Sequence, residues 1–274
     1  MPTRLPVGGT GLNVAGLVPF STVDWPGHLV ASVFAQGCPF RCPYCHNHEI
    51  LDPRVKGDVS WDEVTELLQR RRGLLDGVVF SGGEALMQAV VPRGFSSLKS
   101  PLGEAMAEVK EMGFKVGLHV AGSFPDHLRR LLDADLVDWV GLDIKALPQD
   151  YQFVTASPIG ARLAEDSLRA LVDYPEMEHE VRLTLWPGLL RAPSMGFIPD
   201  GVPSREAGRA LLNYAVDVAR WSHERGARVF ALQRFQERTA QDVAKGENIP
   251  RAKWDDDEAC FRLQQVGFKS VQVR

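Results

Sequence analysis

Four cysteines in 274 residues are too few, and too unevenly placed, for a disulfide framework. Three of them, Cys38, Cys42 and Cys45, fall within eight residues of the stretch QGCPFRCPYCHN; the fourth, Cys260, stands alone far downstream. Nowhere do about 18 apolar residues run consecutively, which excludes an ordinary membrane-spanning helix. The opening MPTRLPVGGTGLNVAG lacks the apolar centre of a secretory signal. A cytoplasmic, reducing setting is therefore expected, in which clustered thiols serve metals or redox chemistry. Positive charge is also scarce: 31 Lys and Arg against 35 Asp and Glu leave a formal charge of -4. No broad phosphate-binding surface, and so no nucleic-acid partner, is expected. The one dense basic run, Arg70-Arg71-Arg72, follows the amphipathic WDEVTELLQ and reads as a helix end, where cations complement the dipole. Missing too is any compelling Ser/His/Asp set or pair of carboxylates, which removes the usual side-chain nucleophiles and bases.

What is present is ordinary globular material, 45% hydrophobic and 24% charged. The length lies above the usual single-domain size, but α/β barrels of this length are commonly one domain, and one core is expected over 1–274. Strand-like runs alternate with helical patterns: HLVASVFAQG (28–37), GVVFSGG (77–83), FKVGLHVAG (114–122), DWVGLDIKA (138–146), HEVRLTLWPG (179–188) and ARVFALQRF (227–235). Five helical segments lie between them, the first starting at a capping box of Ser60 and Glu63. Six strands separated by five helices predict a parallel α/β sheet with right-handed crossovers. Polar and glycine residues gather where these strands end: Gln36-Gly37-Cys38, Ser81 to Glu84, His119, Asp143 with Lys145, Arg182 and Gln233. In parallel α/β folds that is the ligand-binding end. The segment from Arg191 to Pro203, with Met195, Phe197 and Ile198, reads as a long mobile loop suited to apolar docking. After Gln236 the alternation weakens, leaving a helix near Asp255–Gln264 with acids in its first turn and a short terminal strand, SVQVR.

The spacing C-x3-C-x2-C supplies three sulfur ligands where closed zinc and electron-transfer sites want four. His46 or His48 could complete a zinc site, but paired C-x2-C or H-x3-H spacing is absent. Cys260, beside Phe261 on the acidic terminal helix, reads as a small buried apolar residue rather than a fourth ligand. The remaining option is a four-iron cluster with one iron open to a non-protein ligand.

The arrangement Cys38, Cys42, Tyr44, Cys45 directly after a first strand resembles the radical S-adenosylmethionine enzymes. The resemblance implies a partial (β/α)6 TIM-like barrel, with a [4Fe-4S] cluster on the three cysteines and S-adenosylmethionine on the open iron. Gly82-Gly83-Glu84 at the end of the second strand resembles that family's motif for the methionine part of the cofactor. Glycine lets a ligand approach backbone closely and the glutamate can accept from an ammonium. A side chain at Gly83 is accordingly expected to weaken cofactor binding and to spare the iron. The stretches GLVPFSTVDWPGHLVASVFAQGCPFRCPYCHN, RRGLLDGVVFSGGE, DLVDWVGLDIKA, VRLTLWPG and ALQRFQ together resemble the activating enzymes of glycyl radical proteins, most closely those of anaerobic ribonucleoside-triphosphate reductase. The likeness runs over about residues 13–240, leaving 241–274 as an extension.

This resemblance implies reductive cleavage of S-adenosylmethionine to a 5'-deoxyadenosyl radical, which takes a hydrogen from a glycine Cα of a partner protein. A flavodoxin- or ferredoxin-type donor would supply the electron. Tyr44, His46, Asp143, Lys145 and Arg182 are implied to approach the cofactor. One departure stands out: His119-Val120-Ala121-Gly122 replaces the usual Asp-Thr-Asn-Gly, so that His119 takes the place of an acid beside the cofactor. Two other readings remain: a radical enzyme acting on a small molecule or peptide, for example in deazapurine synthesis, and a non-catalytic metal or electron-transfer protein.

Overall fold

Strands form where the apolar runs predicted: β2 (Val30–Ala35), β3 (Gly77–Gly82), β4 (Lys115–Val120), β5 (Trp139–Asp143), β6 (Glu178–Leu185) and β7 (Val229–Arg234). Two more flank them, β1 (Val14–Ser21) and β8 (Ser270–Val273), and the sheet order is β1-β2-β3-β4-β5-β6-β7-β8. The computed structural model describes residues 11–90, 99–196, 202–236 and 252–274. Phe197 and Ile198 of the expected docking loop lie outside the described residues. The described α-helices are α1 (Trp61–Arg70), α2 (Pro101–Glu111), α3 (Pro125–Asp133), α4 (Tyr151–Thr155), α5 (Gly160–Val172), α6 (Ser204–Glu224) and α7 (Asp256–Gln264). No described helix is long and apolar enough to cross a membrane.

The chain divides into two compact units. The first holds the residues up to Pro39, Glu49–Val120 and Asp126–Val140. In it β2, β3 and β4 pair in parallel, Ala35 opposite Gly82 and Phe80 opposite Leu118. No element was expected at β1, which pairs antiparallel with β2. Gly16 and Pro19 argue against a strand there. At the edge of a sheet, however, the N–H that proline lacks leaves no ladder bond unmade, and the register of β1 shifts on either side of the stretch from Gly16 to Val18. Helix α1 starts as predicted: Ser60 Oγ accepts from the Glu63 N–H at 3.2 Å, and Glu63 Oε2 accepts from the Ser60 N–H at 2.8 Å. Trp61, Val64 and Leu68 form its buried face, and Arg71 caps its end. The core at the start of the strands is Trp25 with Val30, Val79 and Trp139. The two indoles stack at 5.5 Å and 18°, so Trp25 turns inward as packing while Val23 and Gly27 of the same turn stay exposed.

The second unit holds Phe40–His48, Ala121–Pro125 and Gly141–Arg274. Its strands β6, β7 and β8 are parallel, with Arg182 opposite Ala231 and Ala231 opposite Gln272. The terminal strand is secured at its last residue. The Arg234 N–H reaches the Arg274 carbonyl at 2.7 Å, and the Arg274 guanidinium pairs with the buried Glu180. Helix α7 is capped by Asp255, which accepts from the Glu258 N–H at 2.9 Å, and carries the expected acids in its first turn. Cys260 on this helix is half-buried, with the Gln264 amide 3.6 Å from its sulfur, and so is not the enclosed apolar residue the sequence suggested. Of the expected 191–203 loop, the described part begins with ordered turns rather than open chain. Residues Pro187–Arg191 and Pro193–Met195 form short 3-10 turns, and the second is bonded to Asp150.

One packing contact in this unit decides the sign of a substitution. A Cβ built on Gly208, inside α6, would stand 1.8 Å from the Lys253 carbonyl oxygen, and Lys253 itself donates to the Ser204 carbonyl at 2.9 Å. Alanine normally adds about 1 kcal/mol to a helix interior relative to glycine. Overpacking costs about 1–3 kcal/mol, and here the obstacle is backbone. Gly208→Ala is expected to lower the urea unfolding midpoint. An unchanged or raised midpoint would show that residues 252–254 can move off the helix.

Candidate functional site

In the first unit the ends of β2 and β3 are joined residue by residue. Gln36 Nε2 donates to the Asp52 carbonyl at 2.9 Å, and the N–H groups of Gly37 and Cys38 reach the carbonyls of Ile50 and Leu51 at 2.8 and 3.1 Å. Across from them the Gly83 N–H donates to the Ala35 carbonyl at 3.1 Å and the Glu84 N–H to the Gly37 carbonyl at 2.8 Å. Both glycines are needed for this approach. Gly82 has φ +120, and a Cβ there would stand 2.3 Å from Ala35 N and O. A Cβ on Gly83 would stand 2.3 Å from the Gly37 oxygen and 3.0 Å from Cys38 Cβ. A side chain at Gly83 would thus press on Gly37 and on the Cβ of the first cysteine as well as on any ligand above it. Glu84 is fully buried and caps the turn Ala85–Gln88, accepting from the Leu86 N–H at 3.4 Å.

Gln88, which the sequence reading passed over, binds this corner together. Its Nε2 donates to the carbonyls of Asn13 and Gln36 at 2.9 and 3.0 Å, and its Oε1 accepts from the Asn13 N–H at 2.7 Å. A glutamine five residues beyond a glycine pair carries no sequence signal of its own. His119, near the end of β4, turns its Nε2 to the Asp24 carbonyl at 2.7 Å and its ring edge to Trp139 at 5.6 Å. A carbonyl only accepts, so that nitrogen carries the proton. His119 is thus tied to the turn that carries the buried Trp25.

In the second unit Cys42 and Cys45 are drawn together by a turn. The Cys45 N–H donates to the Cys42 carbonyl at 3.0 Å, with Pro43 in the position such turns favour. The preceding Arg41 N–H is bonded to the Thr155 carbonyl at the end of α4, at 3.0 Å. Burial pushes the Cys42 thiol up to about 11 and raises Cys45 as well, while the Lys145 ammonium pulls both back. The bare thiols therefore keep their protons, and a metal must displace them. Tyr44 is buried between them, its ring 5.5 Å from Trp186 and 5.8 Å from Lys145 Nζ. Its hydroxyl has no hydrogen-bond partner among the described residues, and burial raises its pKa well above the ordinary phenol range. His46 lies on the exposed side, edge-on to Phe235 at 6.3 Å.

Asp143, Lys145 and Arg182 meet in one network. Arg182 Nε donates to Asp143 Oδ1 at 2.7 Å and its Nη2 to the Gly141 carbonyl at 3.1 Å, while Lys145 Nζ donates to Asp143 Oδ2 at 2.8 Å. Burial disfavours charge on Lys145, but the Asp143 carboxylate outweighs it and holds the pKa above the ordinary value. Two cations on one carboxylate leave a net positive charge, which suits an anionic cluster or a cofactor carboxylate.

Among the described residues no three His, Cys, Asp or Glu side chains are already gathered closely enough to hold a metal ion. Cys38 belongs to the first unit and Cys42 and Cys45 to the second. The donor set itself, three soft sulfurs with cations beside two of them, fits an iron-sulfur cluster and suits magnesium or calcium poorly.

A protein of Methanocaldococcus jannaschii, provisionally named a glycyl-radical enzyme activating enzyme, is 30% identical over 159 residues, 58% of this chain and 61% of that protein. The pyruvate formate-lyase-activating enzyme of Clostridium pasteurianum is 32% identical over 154 residues, 54% of this chain and 58% of that enzyme. The chain thus spans about three fifths of the length of these relatives. A solved structure of TYW1 with a lysine-pyruvate adduct bound gives a TM-score of 0.50 at 11% identity, over 88% of this chain and 74% of that one, a likeness of fold alone. The radical SAM superfamily model matches residues 32–190, more than half the chain. The enzymes it describes use a [4Fe-4S] cluster and S-adenosylmethionine on an α/β fold of the partial TIM-barrel type. With that match over β2 to β6 and the cysteine turn, the chain belongs to the radical SAM superfamily.

Proposed function

We propose that the protein is a glycyl-radical enzyme activating enzyme, acting on anaerobic ribonucleoside-triphosphate reductase in the cytoplasm as a single radical SAM domain. The observation that carries the site is the contact of Gly83 with Gly37 and Cys38, supported by the Glu84 N–H on the Gly37 carbonyl. It makes a glycine-lined surface and the first cysteine one rigid corner, so that a ligand lying on the glycines lies beside the thiol. The similarity to activating enzymes of about 30% identity supports the choice of branch, and the quoted motifs around Cys38 to Asn47 support the choice of reductase.

In this reading Cys38, Cys42 and Cys45 hold the cluster, and Gly82, Gly83 and Glu84 receive the amino-acid part of S-adenosylmethionine. Tyr44, His46 and His119 line the surroundings. Lys145 and Arg182, fixed by Asp143, offer positive charge to the cofactor carboxylate. A cluster held by these cysteines would supply the one electron needed to cleave S-adenosylmethionine reductively, the chemistry that precedes hydrogen abstraction from a glycine in this reading. The electron comes from a flavodoxin- or ferredoxin-type donor. The chain's own task is to bind, orient and keep water out, which accords with a sequence that offers no compelling Ser/His/Asp set or pair of carboxylates.

Three measurements check this. After anaerobic reconstitution, Cys38→Ala, Cys42→Ala and Cys45→Ala should each lose cluster iron and its visible charge-transfer absorbance, whereas Cys260→Ala should keep both; retention in Cys42→Ala would refute the ligand assignment. Gly83→Ala should lower iron content together with S-adenosylmethionine affinity, because its Cβ would displace the Gly37-Cys38 backbone; full iron content with weakened binding would mean that the corner yields without moving Cys38. Finally, reduced protein mixed with S-adenosylmethionine and the anaerobic reductase of the same organism should produce the EPR doublet of a glycyl radical. Cofactor cleavage with every glycyl radical protein of that organism left silent would overturn the activator reading in favour of a small-molecule or peptide substrate.

A further inference from the structure

Beyond Asp143 the backbone leaves the strand ladder, and its donors go to side chains. The Ile144 N–H still reaches the Arg182 carbonyl at 2.9 Å. The Lys145 N–H, however, donates to Tyr151 Oη at 3.3 Å, and the Leu147 N–H to Tyr214 Oη at 3.0 Å. Both tyrosines are buried, and burial above all raises their pKa values, so each hydroxyl keeps its proton. Tyr214 uses that proton on Asp150 Oδ2 at 2.8 Å. Asp150 is wholly buried and accepts further bonds from the Ser194 N–H, at 2.9 Å, and from the Ser194 hydroxyl. A buried carboxylate needs partners of this kind. Here they connect the turn Pro193–Met195, through Asp150 and Tyr214 on α6, to residues 145–147 just beyond β5. Those residues begin with Lys145, whose ammonium must stand on Asp143 and beside the Tyr44 ring.

We propose that Tyr214, held by Asp150 and Ser194, is a positioning residue that fixes the 145–147 backbone and so aims the Lys145 ammonium at the cofactor. Tyr151 does the same from the other side, through the N–H of Lys145 itself. The proposal rests on the reading of Lys145 as a cofactor-side residue, and the test separates the two.

The dissociation constant of S-adenosylmethionine is measured at equilibrium on the full chain with reconstituted cluster. The proteins are wild type, Tyr214→Phe, Tyr151→Phe, Lys145→Ala and the doubles of each tyrosine variant with Lys145→Ala. Titrations carried to about a hundred times the wild-type constant keep weakened variants measurable. Each tyrosine variant is expected to bind ~fivefold more weakly, the effect of one lost hydrogen bond, with iron content and charge-transfer absorbance unchanged. In the Lys145→Ala background the tyrosine substitutions should then have no further effect. If the tyrosine and lysine effects multiply, or the tyrosine variants bind normally while Lys145→Ala binds weakly, the network is only structural and the proposal fails. If Lys145→Ala itself binds normally, the cofactor-side reading of Lys145 fails, and the positioning proposal falls with it. Should Tyr214→Phe not fold, the Tyr151→Phe pair decides by the same criterion.

Discussion

The approach of Gly83 to the Gly37 carbonyl leaves no room for a side chain at position 83, and much of the first unit follows from it. Strands β2 and β3 must end level with each other, Ala35 against Gly82, for the two loops to touch. Glu84 must turn at once into a capped 3-10 turn, and Gln88 must return to Gln36 and Asn13 to hold the corner closed. Even β1 is tied in, since Asn13 at its start takes both ends of the Gln88 amide. A ligand resting on such a corner meets backbone rather than side chains. Such a surface is stiff, and it binds by shape and by N–H and C=O groups.

The second unit solves a different problem, that of keeping charge inside the protein. Arg182 is 5% and Lys145 14% exposed, and one carboxylate, Asp143, serves both. Removing a partner from a buried pair is far more damaging than never having built the pair, because the remaining charge stays desolvated. The positions of these residues are therefore interdependent, and the irregular backbone after β5 needs its own fixing by tyrosine hydroxyls. The raised thiols of Cys42 and Cys45 belong to the same environment. Burial favours the protonated form, the neighbouring ammonium favours the thiolate, and metal binding would draw on the second.

The turn at Asp24-Trp25 shows how a strong sequence signal can have a packing cause. The stretch was among the quoted motifs, and its Trp25 fills the core: it lies on Trp139, and a Cβ on Gly117 would stand 2.7 Å from its ring. His119 then belongs partly to this packing, with Nε2 on the Asp24 carbonyl and its ring on Trp139. At the position where the resemblance implies an acid, this chain thus presents a ring N–H to the Asp24 carbonyl oxygen.

Read as a string of residues, the chain already disclosed the six central strands, the capping box at Ser60, the acidic start of α7, the terminal strand and the three-cysteine spacing. All of these depend on periodicity, capping chemistry or short-range spacing, which neighbours in sequence carry by themselves. Edge strand β1 was hidden because glycine and proline, adverse in a central strand, are harmless at a sheet edge, and only the fold says where the edge is. Cys260 looked like a core residue from its neighbours, whereas its helix face leaves it half-buried. The partners of Gly83, Gln88, Tyr214 and Asp150 lie 46, 52, 67 and 44 residues away at Gly37, Gln36, Leu147 and Ser194. Contacts over such separations are decided by how strands and helices pack, and so the residues that complete the candidate site were visible only in the tertiary structure.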